Sequence, residues 1–228
     1  MVESHPFEPF LPEGAGVLFL GSFPPQPKRW CMEFYYPNFI NDFWRICGLY
    51  FFGDREHFVV PGQKHFDKEA VVAFCREKGF ALYDTASAVR RLADNASDKF
   101  LEVVTETDVA ALLAWMPQCR TLVTTGQKAT EVVVARFGCS QPPLGGNTVL
   151  KVPMPGRGCG CAFGSNALAG GEALVDGGQA GGEAGLCVEK GIVRELTFWR
   201  MPSTSRAYPL SLEKKTEAYA KVFESFNK

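Results

Sequence analysis

Short apolar runs alternate with helical patterns along this chain, and together they predict a parallel α/β fold. Four runs are brief, rich in β-branched or aromatic residues and soon followed by Gly, Asp or Pro, as buried strands are: Val17–Leu20, Phe80–Tyr83, Thr121–Thr124 and Leu196–Trp199. Strands that alternate with helices pair in parallel through right-handed crossovers. We therefore predict a three-layer α/β/α domain around a central four-stranded parallel sheet.

Helices are expected where a capping residue precedes an apolar stripe. Four such starts are found, at Asp67, Thr107, Gly126 and Ser211. A further helix is expected to begin near Asn41, with Phe43 and Trp44 in the core. Ligands of such sheets bind beyond the carboxyl ends of the strands. The segments that follow the strands are therefore the candidate site: Gly21–Pro25, Asp84–Ser87, Thr125–Lys128 and Arg200–Arg206.

One segment, residues 156–191, departs from this alternation. It holds 12 of the 23 glycines and few large apolar side chains. Such a composition buries too little apolar surface to offset the entropy of ordering the chain. We predict one domain over residues 1–228, with residues 156–191 as a flexible insertion before the last strand.

Composition excludes several classes of protein. Apolar residues make up 46% of the 228 and charged residues 21%, which suits a globular core and excludes a disordered chain. No apolar run approaches the roughly 20 residues that span a bilayer. The start of the chain lacks a secretory pattern, so we expect a cytoplasmic protein without a membrane partner. The net charge of −1 requires any nucleic-acid contact to use a local basic face.

The eight cysteines favour free thiols over a metal site. No C-x2-C pair occurs, and the closest pair, Cys159 and Cys161, is poorly spaced for zinc or an iron–sulfur cluster. In the cytosol thiols stay reduced. We therefore expect cysteines in the core and in loops, and no bound metal.

An aromatic segment, 34–44, carries two asparagines and an aspartate among its rings. Aromatic faces stack on flat heteroaromatic ligands and amides recognise their edges. Phe43 and Trp44 are expected in the core, whereas Tyr36 and Asn41 are the candidate ligand contacts.

Three motifs, in order along the chain, resemble the uracil-DNA glycosylase superfamily. They are Gly21-Ser22-Phe23-Pro24-Pro25, the aromatic segment Tyr35–Trp44 ending in Asn-x-Phe-Trp, and Met201-Pro202-Ser203-Thr204-Ser205-Arg206. The likeness is greatest to the mismatch-specific uracil/thymine branch and to the hypoxanthine-DNA glycosylase-like branch. It covers nearly the whole chain except residues 156–191.

The resemblance implies a monofunctional DNA glycosylase of base excision repair. Such enzymes flip a nucleotide out of the duplex, stack its base on an aromatic ring and hydrolyse the N-glycosidic bond. The expected substrate is DNA containing a deaminated base, uracil or hypoxanthine. No metal or redox cofactor is implied, and we expect a monomer.

The resemblance also implies roles for particular residues. Tyr36 occupies the position of the stacking aromatic. The first loop contacts water and base through its backbone, and consists of Gly21, Ser22 and Phe23. The last loop compresses the DNA backbone, contacts a phosphate through the hydroxyl of its first serine and supplies the wedge that enters the vacated stack. It consists of Pro202, Ser203, Thr204, Ser205 and Arg206.

The first loop departs from the usual motif at Phe23. That position usually holds an Asn or Asp that positions water, which a phenyl ring cannot do. The hypoxanthine-type branch also lacks this residue and is thought to use the Asn of its Asn-x-Phe-Trp segment, which corresponds to Asn41. We therefore assign water positioning to Asn41, with Asp42 as the alternative. Asparagine orients water and stabilises charge but accepts no proton at neutral pH.

The remaining polar residues have no motif of their own. His5, His57 and His65 are expected at the surface, away from the site. Asp84 either lines the pocket or caps a turn. Five basic residues flank the proposed mouth: Lys28, Arg29, Arg45, Arg200 and Arg206.

Two other functions remain open. Phe23 is compatible with a nucleic-acid-binding module of the same fold that has lost its chemistry. An α/β enzyme acting on free nucleosides or nucleotides is the third interpretation. It would not require the wedge of residues 204–206.

Overall fold

A computed structural model describes residues 1–92, 100–155 and 192–226. Its strands are β1 (Val2–Ser4), β2 (Val17–Gly21), β3 (Phe80–Asp84), β4 (Ala86–Arg91), β5 (Leu101–Glu106), β6 (Thr121–Thr125), β7 (Gly146–Pro153) and β8 (Val193–Met201). Its helices are α1 (Phe43–Phe52), α2 (Lys68–Lys78), α3 (Val109–Ala114), α4 (Gln127–Phe137) and α5 (Leu212–Phe226). The predicted insertion, residues 156–191, lies outside the described residues.

The central sheet confirms the four predicted strands and their parallel pairing. Its order is β3-β2-β6-β8-β7, and the first four strands run in parallel. Every residue of β2, β3 and β6 is buried, because helices cover a parallel sheet on both faces. The α/β class with a parallel-rich central sheet is therefore as predicted.

The sheet has a fifth strand that was not predicted. Strand β7 pairs antiparallel with β8 along eight residues at the edge of the sheet. Buried and exposed positions alternate along it, and only Leu150 and Val152 are fully buried. A half-exposed edge strand lacks the continuous apolar run that identified the others.

A second, antiparallel sheet of order β1-β4-β5 was not predicted either. Strand β4 begins two residues after β3 ends, and β1 joins it from the start of the chain. The sheet forms a small core of its own with Ala86, Val89 and Leu101, into which Phe23 inserts. It therefore fixes the loop after β2, one of the candidate site segments.

Helix starts agree with the prediction at three of the four expected caps. Asp67 accepts from Ala70 N at 3.0 Å, Gly126 precedes α4, and Ser211 Oγ accepts from Lys214 N at 3.3 Å. The Thr107 assignment was wrong. The neighbouring Asp108 accepts from Ala111 N and caps α3, whereas the Thr107 hydroxyl donates to the backbone oxygen of Asp84.

Aromatic rings fill the main core between the sheet and helices α1 and α5. Phe43 and Trp44 are buried, as predicted. Phe19 packs on Phe43 with ring centroids 5.4 Å apart, and Phe80 on Phe223 at 5.9 Å. Helix α1 is therefore held rigidly, and so is the aromatic segment that leads into it. Within the described residues no helix is long and apolar enough to cross a membrane.

Candidate active site

The carboxyl ends of the parallel strands open into a cleft of about 860 Å³. Residues from four segments line it: 21–25, 35–41, 125–128 and 203–209. These include parts of all three motifs that carry the sequence resemblance. Residues that lie up to 188 positions apart along the chain therefore share one concave surface.

The floor of the cleft is built where β2, β3 and β6 end. Gly21 and Asp84 are directly opposite each other in the parallel pairing of β2 with β3. Thr125 ends β6, and its hydroxyl donates to Leu20 O at 3.5 Å. All three floor residues, Gly21, Asp84 and Thr125, are buried and line the cleft.

Tyr36 lines the cleft with its ring supported from behind. The ring stacks on Phe43 at 4.0 Å between centroids and 16° between planes, and its hydroxyl hydrogen-bonds with Thr125 Oγ1 at 3.1 Å. Burial raises the pKa of this phenol, so it stays protonated at neutral pH. Tyr36 has a φ of 51°, a left-handed conformation that is costly for a residue with a side chain. The segment is thus held in a strained conformation that keeps the ring at the cleft.

Asn41 lines the cleft and also starts helix α1. Its Oδ1 accepts from Phe43 N at 2.9 Å, which occupies the side-chain oxygen in a local turn. Its backbone forms an isolated antiparallel bridge with Ser205 of the last loop. Its amide NH2 group makes no hydrogen bond with another described residue, and is the part of the side chain available to a ligand.

Asp42 is not among the residues that line the cleft. Its Oδ2 accepts from the fully buried Lys215 Nζ at 2.8 Å, and Oδ1 lies 3.5 Å from Arg206. Lys215 also donates to Ser205 O, and Asp42 N donates to Thr204 O, both at 2.8 Å. Asp42 therefore fastens the last loop to the start of α1.

The last loop contributes Ser203, Thr204 and Ser205 to the cleft, but neither Pro202 nor Arg206. The oxygen of Pro202 accepts from Tyr219 OH at 2.9 Å. Ser203 Oγ accepts from Ser205 N at 3.2 Å and keeps its own hydrogen for another partner. The Arg206 side chain is half-exposed beside Asp42.

In the first loop Ser22 and Phe23 both line the cleft, and the Phe23 side chain also anchors the loop. The Phe23 side chain packs into the core of the second sheet, 5.3 Å from the His5 ring, with the Arg91 guanidinium 5.6 Å from its centroid. Arg91 donates to Pro24 O at 2.7 Å. The phenyl ring that replaces the usual polar residue thus holds the loop in place.

His5 was expected at the surface, and that expectation was wrong. Its side chain is only 3% exposed, and its Nε2 lies 2.8 Å from Asp84 Oδ2. The ring packs against Tyr83 at 4.6 Å. No local pattern identifies this residue, because His5 and Asp84 are 79 positions apart and the pairing of β1 with β4 brings them together. Of the two interpretations of Asp84, the structure supports lining the pocket.

The expected basic rim is only partly present. Arg29 lines the cleft, together with Lys128 and with Arg91, which the sequence analysis missed. Arg45 was expected to flank the mouth of the cleft, and that expectation was wrong. Its side chain is only 3% exposed. Its guanidinium donates to Phe39 O at 2.6 Å and lies over the Phe39 ring. It supports the aromatic segment from inside. Arg200 hydrogen-bonds with Gln127.

Metal ligands do not cluster in the described part of the chain. Residues 1–92, 100–155 and 192–226 contain no group of three or more His, Cys, Asp or Glu side chains arranged to hold an ion. Cys31, Cys47, Cys75, Cys119 and Cys139 are free thiols. Cys159 and Cys161 lie outside the described residues.

The parallel-rich central sheet, its flanking helices and the cleft at the carboxyl ends of its strands define an α/β fold. A solution NMR structure from Methanosarcina acetivorans, described as a "putative Uracil DNA glycosylase", shares this fold with a TM-score of 0.54. The two chains are 18% identical, and the match covers 98% of this chain and 99% of the other. At this identity the likeness establishes the fold. No protein-family model matches the sequence, and no curated protein matches it.

Proposed function

We propose that this protein is a DNA N-glycosylase that hydrolyses the bond between deoxyribose and a deaminated base, uracil or hypoxanthine, as the first step of base excision repair. The observation that carries the proposal is the convergence of the three motifs on one open cleft. The cleft lies where α/β sheets bind ligands, in a fold shared with a chain described as a "putative Uracil DNA glycosylase". Its volume of about 860 Å³ lies within the range of ligand pockets.

The flipped base would lie against Tyr36. Phe43 supports one face of this ring, which makes it a rigid platform. Stacking on such a ring is sequence-tolerant, because every base has a π-face. Recognition of a particular base must therefore come from polar groups at the floor of the cleft.

The hydrolysis needs an oriented water and donors for the leaving base. Water attacks C1′ as the bond to the base nitrogen breaks, and the base departs with the bonding electrons as an anion. The proton that the water loses then passes through solvent to the departed base, so that the products are the abasic sugar and the neutral base. The free NH2 of Asn41 would orient the water, and backbone N–H groups of the loop 21–23 would stabilise the departing base. Ser22 and Phe23 would thus act through their backbone N–H groups, and the phenyl ring of Phe23 would anchor the loop.

DNA would be held by the rim of the cleft. Ser203 has a hydroxyl hydrogen available for a phosphate oxygen, and Arg29 and Lys128 add positive charge at the same rim. The charge of Arg91 is paired with Glu3 at 2.9 Å. Pro202 is buried at the base of the same loop, and the half-exposed Arg206 would enter the vacated stack. A chain of net charge −1 can bind DNA through such a local basic surface.

A non-catalytic nucleic-acid-binding module is the second candidate. It is favoured by the state of the two residues considered for positioning water. Phe23 is buried in a core, and Asn41 Oδ1 is occupied by Phe43 N. This candidate predicts salt-dependent binding of damaged DNA and no abasic product.

Base release from labelled oligonucleotides tests the proposal. Duplexes and single strands containing uracil, hypoxanthine or xanthine are incubated with the protein, and alkali then cleaves at abasic sites. We expect the wild type to release a deaminated base and Asn41→Ala to lose most of that activity. Release that persists in Asn41→Ala would move the water-positioning role to another residue. Binding without release supports the module, and turnover of free nucleosides supports the small-molecule enzyme.

A further inference from the structure

The loop that follows β2, residues 21–25, is tied down through two consecutive carbonyl oxygens. Pro24 O accepts from Arg91 Nη2 at 2.7 Å, and Pro25 O accepts from Trp30 Nε1 at 2.6 Å. Both donors are side chains from outside the loop. The path of the loop is therefore set by long-range contacts as well as by its own two prolines.

The same loop offers two backbone N–H groups to the cleft. Pro24 and Pro25 have no amide hydrogen, whereas the N–H groups of Ser22 and Phe23 make no hydrogen bond with another described residue. Ser22 and Phe23 both line the cleft. Donors of this kind stabilise a departing anion only where the backbone already aims them at it. What holds the loop therefore bears on the reaction.

Arg91 is the charged residue that holds the loop. It ends β4, its side chain is only 8% exposed, and its guanidinium lies 5.6 Å from the centre of the Phe23 ring. Its Nε lies 3.1 and 2.9 Å from the two carboxylate oxygens of Glu3 on β1. A buried charge is costly unless it is paired and hydrogen-bonded, and Glu3 and Pro24 O meet both conditions.

Stability alone does not account for a buried cation at this place. Replacement of a buried ion pair by apolar residues of similar volume is often neutral or stabilising. What Arg91 adds is a charge-assisted hydrogen bond to one carbonyl, with its direction fixed by the planar guanidinium. The neighbouring Arg90 makes the contrast, because its pair with Glu102 at 2.7 Å is nearly half exposed and lies outside the cleft.

We propose that Arg91, held by Glu3, is a positioning residue that fixes the first loop so that the N–H groups of Ser22 and Phe23 face the departing base. The inference rests on the proposed glycosylase function and adds the residues that set the geometry around its leaving group. Arg91 acts through the loop backbone and not on the base itself. The second sheet thereby takes part in the reaction.

The leaving-group dependence of base release tests this role. Single-turnover rates are measured on duplexes that carry one uracil or one 5-fluorouracil. Fluorine withdraws electrons and stabilises the departing anion, so 5-fluorouracil depends less on donors in the loop. Hypoxanthine and xanthine form the matching purine pair, because the second carbonyl stabilises the xanthine anion.

Arg91→Met should slow the release of uracil most strongly. We expect a loss of up to about 100-fold, because a displacement of about 1 Å near the reacting atoms can have that effect. The loss for 5-fluorouracil should be at least about threefold smaller, since its anion needs less stabilisation in the transition state. A merely structural role would slow both bases equally.

Arg90→Met is the matched control, because it removes an arginine from the same strand and the same sheet. Its rates should equal those of the wild type. Arg91→Lys keeps the charge and a donor for Pro24 O, so its rate should lie well above that of Arg91→Met. Glu3→Gln should slow release in the wild-type background but not in Arg91→Met, because the carboxylate acts only through the guanidinium.

Two further measurements separate positioning from folding and from DNA binding. Arg91→Met should remain folded by urea denaturation, because the Glu3 carboxylate that it leaves behind is 36% exposed and can be hydrated. Its affinity for a duplex with a tetrahydrofuran abasic analogue should match that of the wild type, because this ligand has no base to leave.

Three outcomes would overturn the inference. Rates in Arg91→Met that equal those in Arg90→Met would remove Arg91 from the reaction. Equal losses for uracil and 5-fluorouracil, or an equal loss of tetrahydrofuran affinity, would make its role structural. A wild type that releases no base would refute the proposed function and this role with it, whereas release by the wild type with either of the other outcomes refutes this inference alone.

Discussion

Tyr36 combines backbone strain with a rigid ring, which marks it as a residue held for function. Among the described residues it is the one non-glycine with a positive φ, and the stacking on Phe43 and the hydrogen bond with Thr125 keep it there. Such conformations persist only where the surroundings determine them, and they concentrate at binding sites.

Replacement of Tyr36 separates stacking from hydrogen bonding. Tyr36→Ala should weaken binding of a damaged-base duplex about 10- to 100-fold, because stacking of one base contributes about 1–3 kcal/mol. Tyr36→Phe keeps the ring and loses only the bond to Thr125, so its affinity should stay close to that of the wild type. Anisotropy titrations of both variants check this. Equal losses in the two variants would exclude stacking as the main contribution.

Phe23 replaces the Asn or Asp of the usual motif, and its ring contributes to packing in the core of the second sheet. Phe23→Ala should lower the free energy of unfolding by about 3–5 kcal/mol, because it leaves a cavity in the core of the second sheet. Phe23→Leu, of similar volume, should cost less than about 1.5 kcal/mol. Urea denaturation measures both. Phe23→Asn places an amide in that core and should lose stability without gaining activity. A gain in base release by this variant would contradict the anchoring role.

At the scale of elements, the ion pair of Asp42 and Lys215 joins the start of α1 to the last loop and α5. Both side chains are buried, so removal of Lys215 leaves the Asp42 carboxylate with only the half-exposed Arg206, at 3.5 Å. Lys215→Met should lower the free energy of unfolding by about 3–5 kcal/mol. The double variant Asp42→Asn/Lys215→Met should lose less than the sum of the single variants. Denaturant titrations test this, and a change below about 0.5 kcal/mol in Lys215→Met would show that the pair is not structural.

Elements with continuous buried runs were predictable from the sequence, and edge elements were not. Strand β6 is buried at every position, whereas β7 alternates and resembles a loop-flanked polar segment. Thr107 and Asp108 are both good capping residues, and only the backbone geometry shows that Asp108 is used. The candidate cleft followed from strand ends, because parallel strands place those ends at one edge.

At the scale of the whole molecule, contacts between side chains far apart in the sequence could not be predicted from the pattern of apolar and polar residues. His5 reaches Asp84 only because β1 pairs with β4, and β1 is three residues long with little apolar character. Lys215 and Asp42 likewise meet across 173 positions. Neither pair has a local signature, since long-range electrostatic contacts depend on the packed fold.

Stability of the whole molecule should fall in alkali because buried acidic groups resist ionisation. Burial raises the pKa of the Cys119 thiol to about 11 and that of the Tyr83 phenol to about 12. Groups with a raised pKa stabilise the folded state below their unfolded pKa values, about 8.5 and 10, and lose this contribution as pH rises through the folded values. Unfolding midpoints should therefore decrease from about pH 9 to 12. Cys119→Ala should flatten the early part of this decrease, and an identical profile in that variant would contradict the assignment.

Single-turnover base release from a duplex with one uracil or one hypoxanthine tests the central claim most directly. The protein is in excess, and abasic sites are detected by alkaline cleavage of the labelled strand. A DNA N-glycosylase at this cleft predicts an abasic product from at least one of the two duplexes, and its strong reduction in Asn41→Ala. No abasic product from either duplex, at protein concentrations that saturate binding, would contradict the account and leave a DNA-binding module on this fold.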